Sequence, residues 1–95
     1  MRIISKPELT EFATKHNDAL EPLMHWYFVA KRAAWKSLSE VREDFRHADG
    51  VEQFTVFNIA GNKYRLIVAI KYRWQIIYVR HILTHAEYNK ETWKP

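Results

Sequence analysis

The sequence predicts an α+β domain in which helices come first and an antiparallel β-meander follows. Three observations predict it. Apolar residues recur at helical spacing through the first half of the chain. From Gln53 the period changes to two, with Phe54, Val56 and Asn58 alternating with Thr55, Phe57 and Ile59. Gly61-Asn62 then marks a hairpin, because both residues accept positive φ. A chain of 95 residues makes one domain, 1–95, and can bury a single core.

Arg2–Ile4 reads as a short β-stretch. Ser5 before Lys6-Pro7-Glu8 starts a helix, with a serine N-cap, an early proline and an acid in the first turn. Leu9, Phe12 and Ala13 form its buried face, and Asn17-Asp18 breaks it. Leu20, Leu23, Tyr27, Ala30 and Ala34 then follow at spacings of three and four, with Trp26 and Ala33 widening the stripe of an amphipathic second helix. Pro22 stands near its first turn, where proline is tolerated. Ser37 with Glu40 opens a short third helical piece, 38–45, as a capping box. Residues 46–52, with Gly50, read as a loop. A strand from Gln53, the long strand 64–72 and a last strand 76–83 make the meander, with a turn around 73–75 that neither Gly nor Pro signals. Thr84 with Glu87 forms a second capping box over a short C-terminal helix.

Residues 1–50 hold eight Lys/Arg and eight Asp/Glu, whereas residues 51–95 hold seven and three. The whole net charge of +4 therefore falls in the strand-rich half, which points to a polyanionic partner. Hydrophobic residues make up 47%, enough to fold without staples, and the absence of cysteine excludes disulfides and thiolate metal sites. No run approaches a membrane span, and the N-terminus lacks the apolar region of a signal peptide. These features lead us to expect a soluble, cytoplasmic protein.

On the long strand Arg65, Ile67, Ala69, Lys71 and Arg73 share one face, and Tyr64, Leu66, Val68, Ile70 and Tyr72 share the other. The second set is core-like. The first is a basic stripe with small apolar spacers, suited either to phosphates or to an ordinary solvated sheet face. Strict alternation sends Arg80 and His81 to opposite faces, so only one of them joins the stripe. His85 and Tyr88 lie three apart after the last strand and share one side of a helix there. A histidine in such a place can move protons near neutral pH. No His spacing, acid cluster, P-loop, GxGxxG or GxSxG supports a metal, nucleotide or serine-hydrolase site.

The stretches VFNIAGNKYRLIVAIKY at 56–72 and YVRHILTHAEYNK at 78–90 carry a resemblance to the RelE/ParE superfamily of bacterial toxins. The likeness is greatest to the HigB branch, messenger-RNA interferases of type II toxin–antitoxin systems. HigB-type toxins show a VFNI-x-GN-x-YRL hairpin and then Arg-x-x-x-Thr-His-x-x-Tyr, and both are present here in order. The resemblance covers nearly the whole chain. It implies the RelE/ParE-like fold and a ribosome-dependent endoribonuclease that uses no metal or other cofactor. In it the message's 2′-hydroxyl attacks the adjacent phosphate, which inhibits translation. Carried over by position, it makes Arg65 a phosphate clamp, Arg80 a second positive contact, His85 and Tyr88 the source of proton transfer or base stacking, and Lys71 a reserve base or charge stabiliser. Arginine suits the clamp because its fork donates two parallel hydrogen bonds. Lys63, Arg73 and Lys94 are expected to assist RNA binding. The partners implied are the ribosome with its messenger RNA and a helix-turn-helix antitoxin of the HigA type. The competing expectation is a non-catalytic relative that binds DNA gyrase, or a plain RNA-binding module.

Overall fold

In the computed structural model, which describes residues 1–94, three helices lie between the first strand and the other four strands of a five-stranded mixed sheet and cover one of its faces. β1 spans Arg2–Ile4 and α1 spans Lys6–Lys15. A 3-10 turn at Asn17–Ala19 leads into α2, Leu20–Arg32, and α3 follows at Leu38–Asp44. The strands are β2 at Asp49–Val51, β3 at Phe54–Ile59, β4 at Tyr64–Lys71 and β5 at Ile76–Thr84, with α4 at His85–Asn89. The spatial order is β1-β5-β4-β3-β2. The antiparallel meander is thus extended on one edge by β1, which runs parallel to β5, and on the other by β2.

Several local expectations change. β2 lies inside the stretch read as loop, because Asp-Gly-Val has no strand composition and gains its pairing from β3. Ser5 precedes α1 in the left-handed region at φ 81 and makes no side-chain cap, so Pro7 and Glu8 carry that helix start. Ser37 does cap α3, accepting from the Glu40 N–H, but Glu40 reaches back to the Lys36 N–H instead of completing the box on Ser37. The box at Thr84 and Glu87 is complete. In the β3–β4 turn the positive φ values fall on Ala60 and Gly61, not on Asn62, whose side chain has other work. The β4–β5 turn is a 3-10 turn at Tyr72–Trp74 followed by Gln75 at φ 57. The Gln75 amide donates to the carbonyls of Trp35 and Tyr72 at 2.8 and 2.9 Å, which supplies the turn that no Gly or Pro announced.

The core sits between the helices and one sheet face. Leu9, Leu23, Trp26, Val41, Leu66, Val68 and Ile77 are fully buried, and Trp26 and Trp35 pack against Phe57. Truncating a side chain of this kind to Ala typically costs ~2–5 kcal/mol. Leu20 and Ala34, expected in the helical stripe, are exposed, because the stripe centres on Trp26 and α2 ends at Arg32.

One polar tie joins the helical layer to the hairpin. Asp18 accepts from the Tyr64 hydroxyl at 2.6 Å and from the Lys63 ammonium at 2.8 Å. Lys63, and then Tyr64, hold the Asp18 carboxyl below its ordinary value, while Asp18 raises both Lys63 and Tyr64. A depressed carboxyl contributes stability above its unfolded pKa and loses it as pH falls through the folded value. The raised Lys63 and Tyr64 contribute below their unfolded values and lose that contribution as pH rises through the folded ones. Thermal melts of Asp18→Asn should therefore fall furthest below wild type between about pH 5 and pH 9, with the gap closing at both extremes.

Candidate functional site

The sheet face away from α1–α3 carries most of the predicted site residues. Going along β4 it presents Arg65, Ile67, Ala69 and Lys71, which stand opposite Leu83, His81, Tyr78 and Ile76 of β5. No Asp or Glu occurs from Gln53 to Ala86, so the carboxylates near this face come from outside β3, β4 and β5. The face is not open throughout. α4 and the segment after it fold back over its hairpin end, and Trp93 packs on Val56 and Ile67 with Phe54, Leu83 and Tyr88 around it.

Arg65 begins β4 just after the hairpin loop and is only 9% exposed. Its guanidinium donates to the Asn62 carbonyl at 3.1 Å, the Tyr64 carbonyl at 3.2 Å and Asn62 Oδ1 at 2.6 Å. The hairpin asparagine therefore anchors an arginine. The expected exposed stripe does not include Arg65, which is a buried fork with part of its donor set already used. Its Cζ lies 5.5 Å from the centroid of the Tyr88 ring.

α4 is placed by the complete capping box at its start and by the His85 N–H, which donates to the Lys63 carbonyl at 2.9 Å. Five residues would not hold a helix alone, so these ties and the packing of Tyr88 hold it. The Tyr88 ring stacks on Trp93 with centroids 5.2 Å apart and planes 17° apart, and the Trp93 indole N–H donates to the Tyr88 carbonyl at 3.0 Å. With Arg65 also over the ring, the Tyr88 π-surface is already in use. Its hydroxyl makes no hydrogen bond among the described residues. His85 Nδ1 lies 3.0 Å from the Asn89 amide nitrogen, one turn later. An amide nitrogen donates, so this contact suits the tautomer in which Nδ1 accepts and Nε2 carries the proton.

A bulge in β5 alters the pairing that alternation predicts. Ile67 pairs with His81 and Val68 with Val79, which leaves Arg80 as the extra residue. Val79 packs in the helix-side core, while the Arg80 guanidinium lies 5.2 Å from the ring centroid of Tyr78, on the opposite face. Arg80 and His81 therefore share the face that alternation allowed to only one of them. His81 lines a cleft of about 360 Å³ with Leu83, Glu87, Lys90, Thr92 and Trp93. Sequence reasoning left His81 outside the site. Only the bulge would have found it, and Val79-Arg80-His81 contains no glycine to signal one.

The remaining candidates lie apart. Lys71 is six residues along β4 from Arg65, or ~20 Å at strand rise. Arg73 lies beyond it in the β4–β5 turn, over the Trp74 ring at 4.9 Å. The Lys63 ammonium turns to Asp18 and the helical layer. Lys94 pairs with Glu91 at 2.9 Å, which raises its pKa, and lies over Trp93. The structure thus brings Arg65 and Tyr88 together at the hairpin end with His85 at the start of the same helix, places Arg80 and His81 along the same face, and leaves Lys71 and Arg73 at the far end.

Comparison with known proteins shows which family the chain resembles. Residues 19–91 match the model of the HigB toxin family, described as the RelE-like toxic component of a toxin–antitoxin system. A protein of Escherichia coli O6:H1 named mRNA interferase HigB is 36% identical, over 97% of this chain and 92% of its own length. The mRNA interferase toxin HigB of Escherichia coli K12 and the mRNA interferase HigB of Shigella flexneri are each 24% identical, over 94% of this chain and 88% of theirs.

Proposed function

Because the chain belongs to the HigB family of RelE-like toxins of toxin–antitoxin systems, we propose that it is a messenger-RNA interferase, an endoribonuclease that cuts the codon exposed in the ribosomal A site. The observation that carries this reading is Arg65 lying over the Tyr88 ring, with His85 at the start of the same helix, at one end of a sheet face whose strands β3, β4 and β5 hold no carboxylate. The reaction is a transesterification. The 2′-oxygen of one nucleotide bonds to the adjacent phosphorus, the bond from phosphorus to the 5′-oxygen breaks, and a 2′,3′-cyclic phosphate and a 5′-hydroxyl result. A proton must leave the 2′-hydroxyl, negative charge builds on the phosphoryl oxygens, and a proton must reach the departing oxygen. No step of this scheme calls on a metal.

Arg80, bound to no carboxylate among the described residues, meets the phosphoryl oxygens directly. Arg65 adds the donors that Asn62 and Tyr64 leave free and holds Tyr88 in place. The Tyr88 hydroxyl and the His85 imidazole serve the two proton transfers. With Trp93 stacked on its ring and Arg65 over it, Tyr88 acts through its hydroxyl. The antitoxin partner that the family implies is a small helix-turn-helix protein of the HigA type. Expression of the chain alone should arrest growth, and co-expression of the neighbouring antitoxin should restore it.

Ribosome or RNA association should weaken as salt rises, with a log–log slope of about −0.7 for each phosphate neutralised on a single strand. Binding assays between 50 and 200 mM salt check this. A flat response would mean that the basic face is not the RNA surface.

A further inference from the structure

The β4–β5 turn carries a feature that the proposed cleavage site does not use. Trp74 is 65% exposed, the most exposed large hydrophobic side chain of the described residues. It is not on a loose loop. The 3-10 turn that bears it is closed by Gln75, whose amide donates to the carbonyls of Trp35 and Tyr72, and whose backbone accepts the left-handed conformation. Trp35 is itself buried and held by Asp44 through its indole N–H at 2.8 Å. An indole is thus displayed on a turn anchored to the core.

Its surroundings are cationic. The Arg73 guanidinium lies 4.9 Å from the Trp74 ring centroid and leaves the rest of the indole open. Arg73 and Lys36 line one cleft of about 510 Å³ together with Ala34, Tyr72 and Gln75. Lys71 is exposed at the adjoining end of β4. A second arginine–aromatic pair, Arg80 with Tyr78, lies further along the open sheet face, where the facing β4 residue is only Ala69. Cations alone would suit any polyanion. An exposed, rigid indole among them suits a polyanion with π-faces, which is a single-stranded nucleic acid. An acidic protein surface would match the charge but would leave the ring without a stacking partner.

We propose that Trp74, with Arg73, Lys36 and Lys71, is a second RNA-docking platform, on which an unpaired base stacks while the cations hold the flanking phosphates. It lies ~20 Å from the Arg65–Tyr88 cluster at strand rise. RNA engaged at both places runs the length of β4 past Arg80. The platform supplies affinity and register and takes no part in the chemistry. This inference deepens the interferase reading and rests on it for the identity of the RNA as ribosomal or messenger.

The test uses the full chain and a 5′-fluorescein-labelled, unstructured 20-nucleotide RNA carrying 2′-O-methyl groups, so that it cannot be cut. Anisotropy titrations should show Trp74→Ala binding about 5- to 100-fold more weakly, with Trp74→Phe retaining most of the affinity. The salt slope of Trp74→Ala should stay at the wild-type value, whereas Arg73→Ala should lower it by about one. Phe28→Ala, which removes an exposed aromatic side chain from α2, should change nothing. Wild-type affinity for Trp74→Ala overturns the proposal, and so does a loss confined to antitoxin binding, which would make the surface a protein contact. If wild type cuts no message while Trp74→Ala still weakens RNA binding, the platform stands and the enzymatic reading falls.

Discussion

Tyr88→Phe and His85→Ala should each slow single-turnover cleavage by ~10²–10⁴-fold, the range associated with a positioned general acid or base, while melting close to wild type. Tyr88→Phe keeps the ring that stacks on Trp93 and lies under Arg65, and it removes a hydroxyl with no hydrogen bond among the described residues. No fold-level change is therefore available to explain a loss of rate. His85→Ala removes the imidazole but keeps the backbone N–H that binds the Lys63 carbonyl, and alanine is a good helix former at the start of α4. Rapid-quench cleavage on programmed ribosomes, with thermal melts of the same preparations, separates chemistry from stability. If both variants cut at wild-type rates, proton transfer belongs to other groups. His81, on the same face, is then the next candidate, and Lys71 the more distant one.

Arg65→Ala should lose both activity and stability, and Arg80→Ala activity alone. Arg65 is buried, donates three hydrogen bonds to the hairpin loop and supports the Tyr88 ring. Hydrogen bonds to a charged group contribute ~1.5–3 kcal/mol, and Asn62 would be left without its partner. A loss of ~2–3 kcal/mol corresponds to a fall of ~10–20 °C in Tm for a domain of this size. Arg65→Lys keeps the charge without the fork and should recover little. Arg80 is exposed, lies over the Tyr78 ring and makes no hydrogen bond or ion pair among the described residues, so its removal should leave Tm within a few degrees. Cleavage should nevertheless drop ~10²–10³-fold, as when one transition-state donor is lost. Differential scanning fluorimetry beside the cleavage assay reads the two effects apart. Equal melting of both variants would mean that the Arg65 network does not hold the hairpin.

The parts of the fold that were legible in the sequence are those written in local chemistry. The alternation of β3 and β4, the capping box at Thr84 and Glu87 and the amphipathic stripe of α2 depend on neighbours a few residues away, and each is present. The parts that were not legible depend on partners far along the chain. β2 exists because β3 pairs with it, and the 3-10 turn before β5 is held by the carbonyl of Trp35, 40 residues from Gln75. The site divides in the same way. Tyr88 and His85 sharing one side of a helix was readable from spacing. The burial of Arg65 was not, because Asn62 looked like a turn residue and proved to be its anchor. Nor was the shared face of Arg80 and His81, because one unpaired residue in β5 reverses the alternation on which the reading relied.

The most direct test of the central reading is the fate of a defined message with and without the ribosome. A 5′-labelled messenger RNA is placed on 70S ribosomes with a tRNA in the P site and an empty A site, and is then mixed with excess protein. A parallel reaction holds the same RNA free in solution, and both contain EDTA-washed protein. The account predicts one cut within the A-site codon on the ribosome, an upstream fragment ending in a 2′,3′-cyclic phosphate, a downstream fragment with a 5′-hydroxyl, and little cutting of the free RNA. An intact message on the ribosome, or fragments ending in a 3′-hydroxyl and a 5′-phosphate, would contradict it.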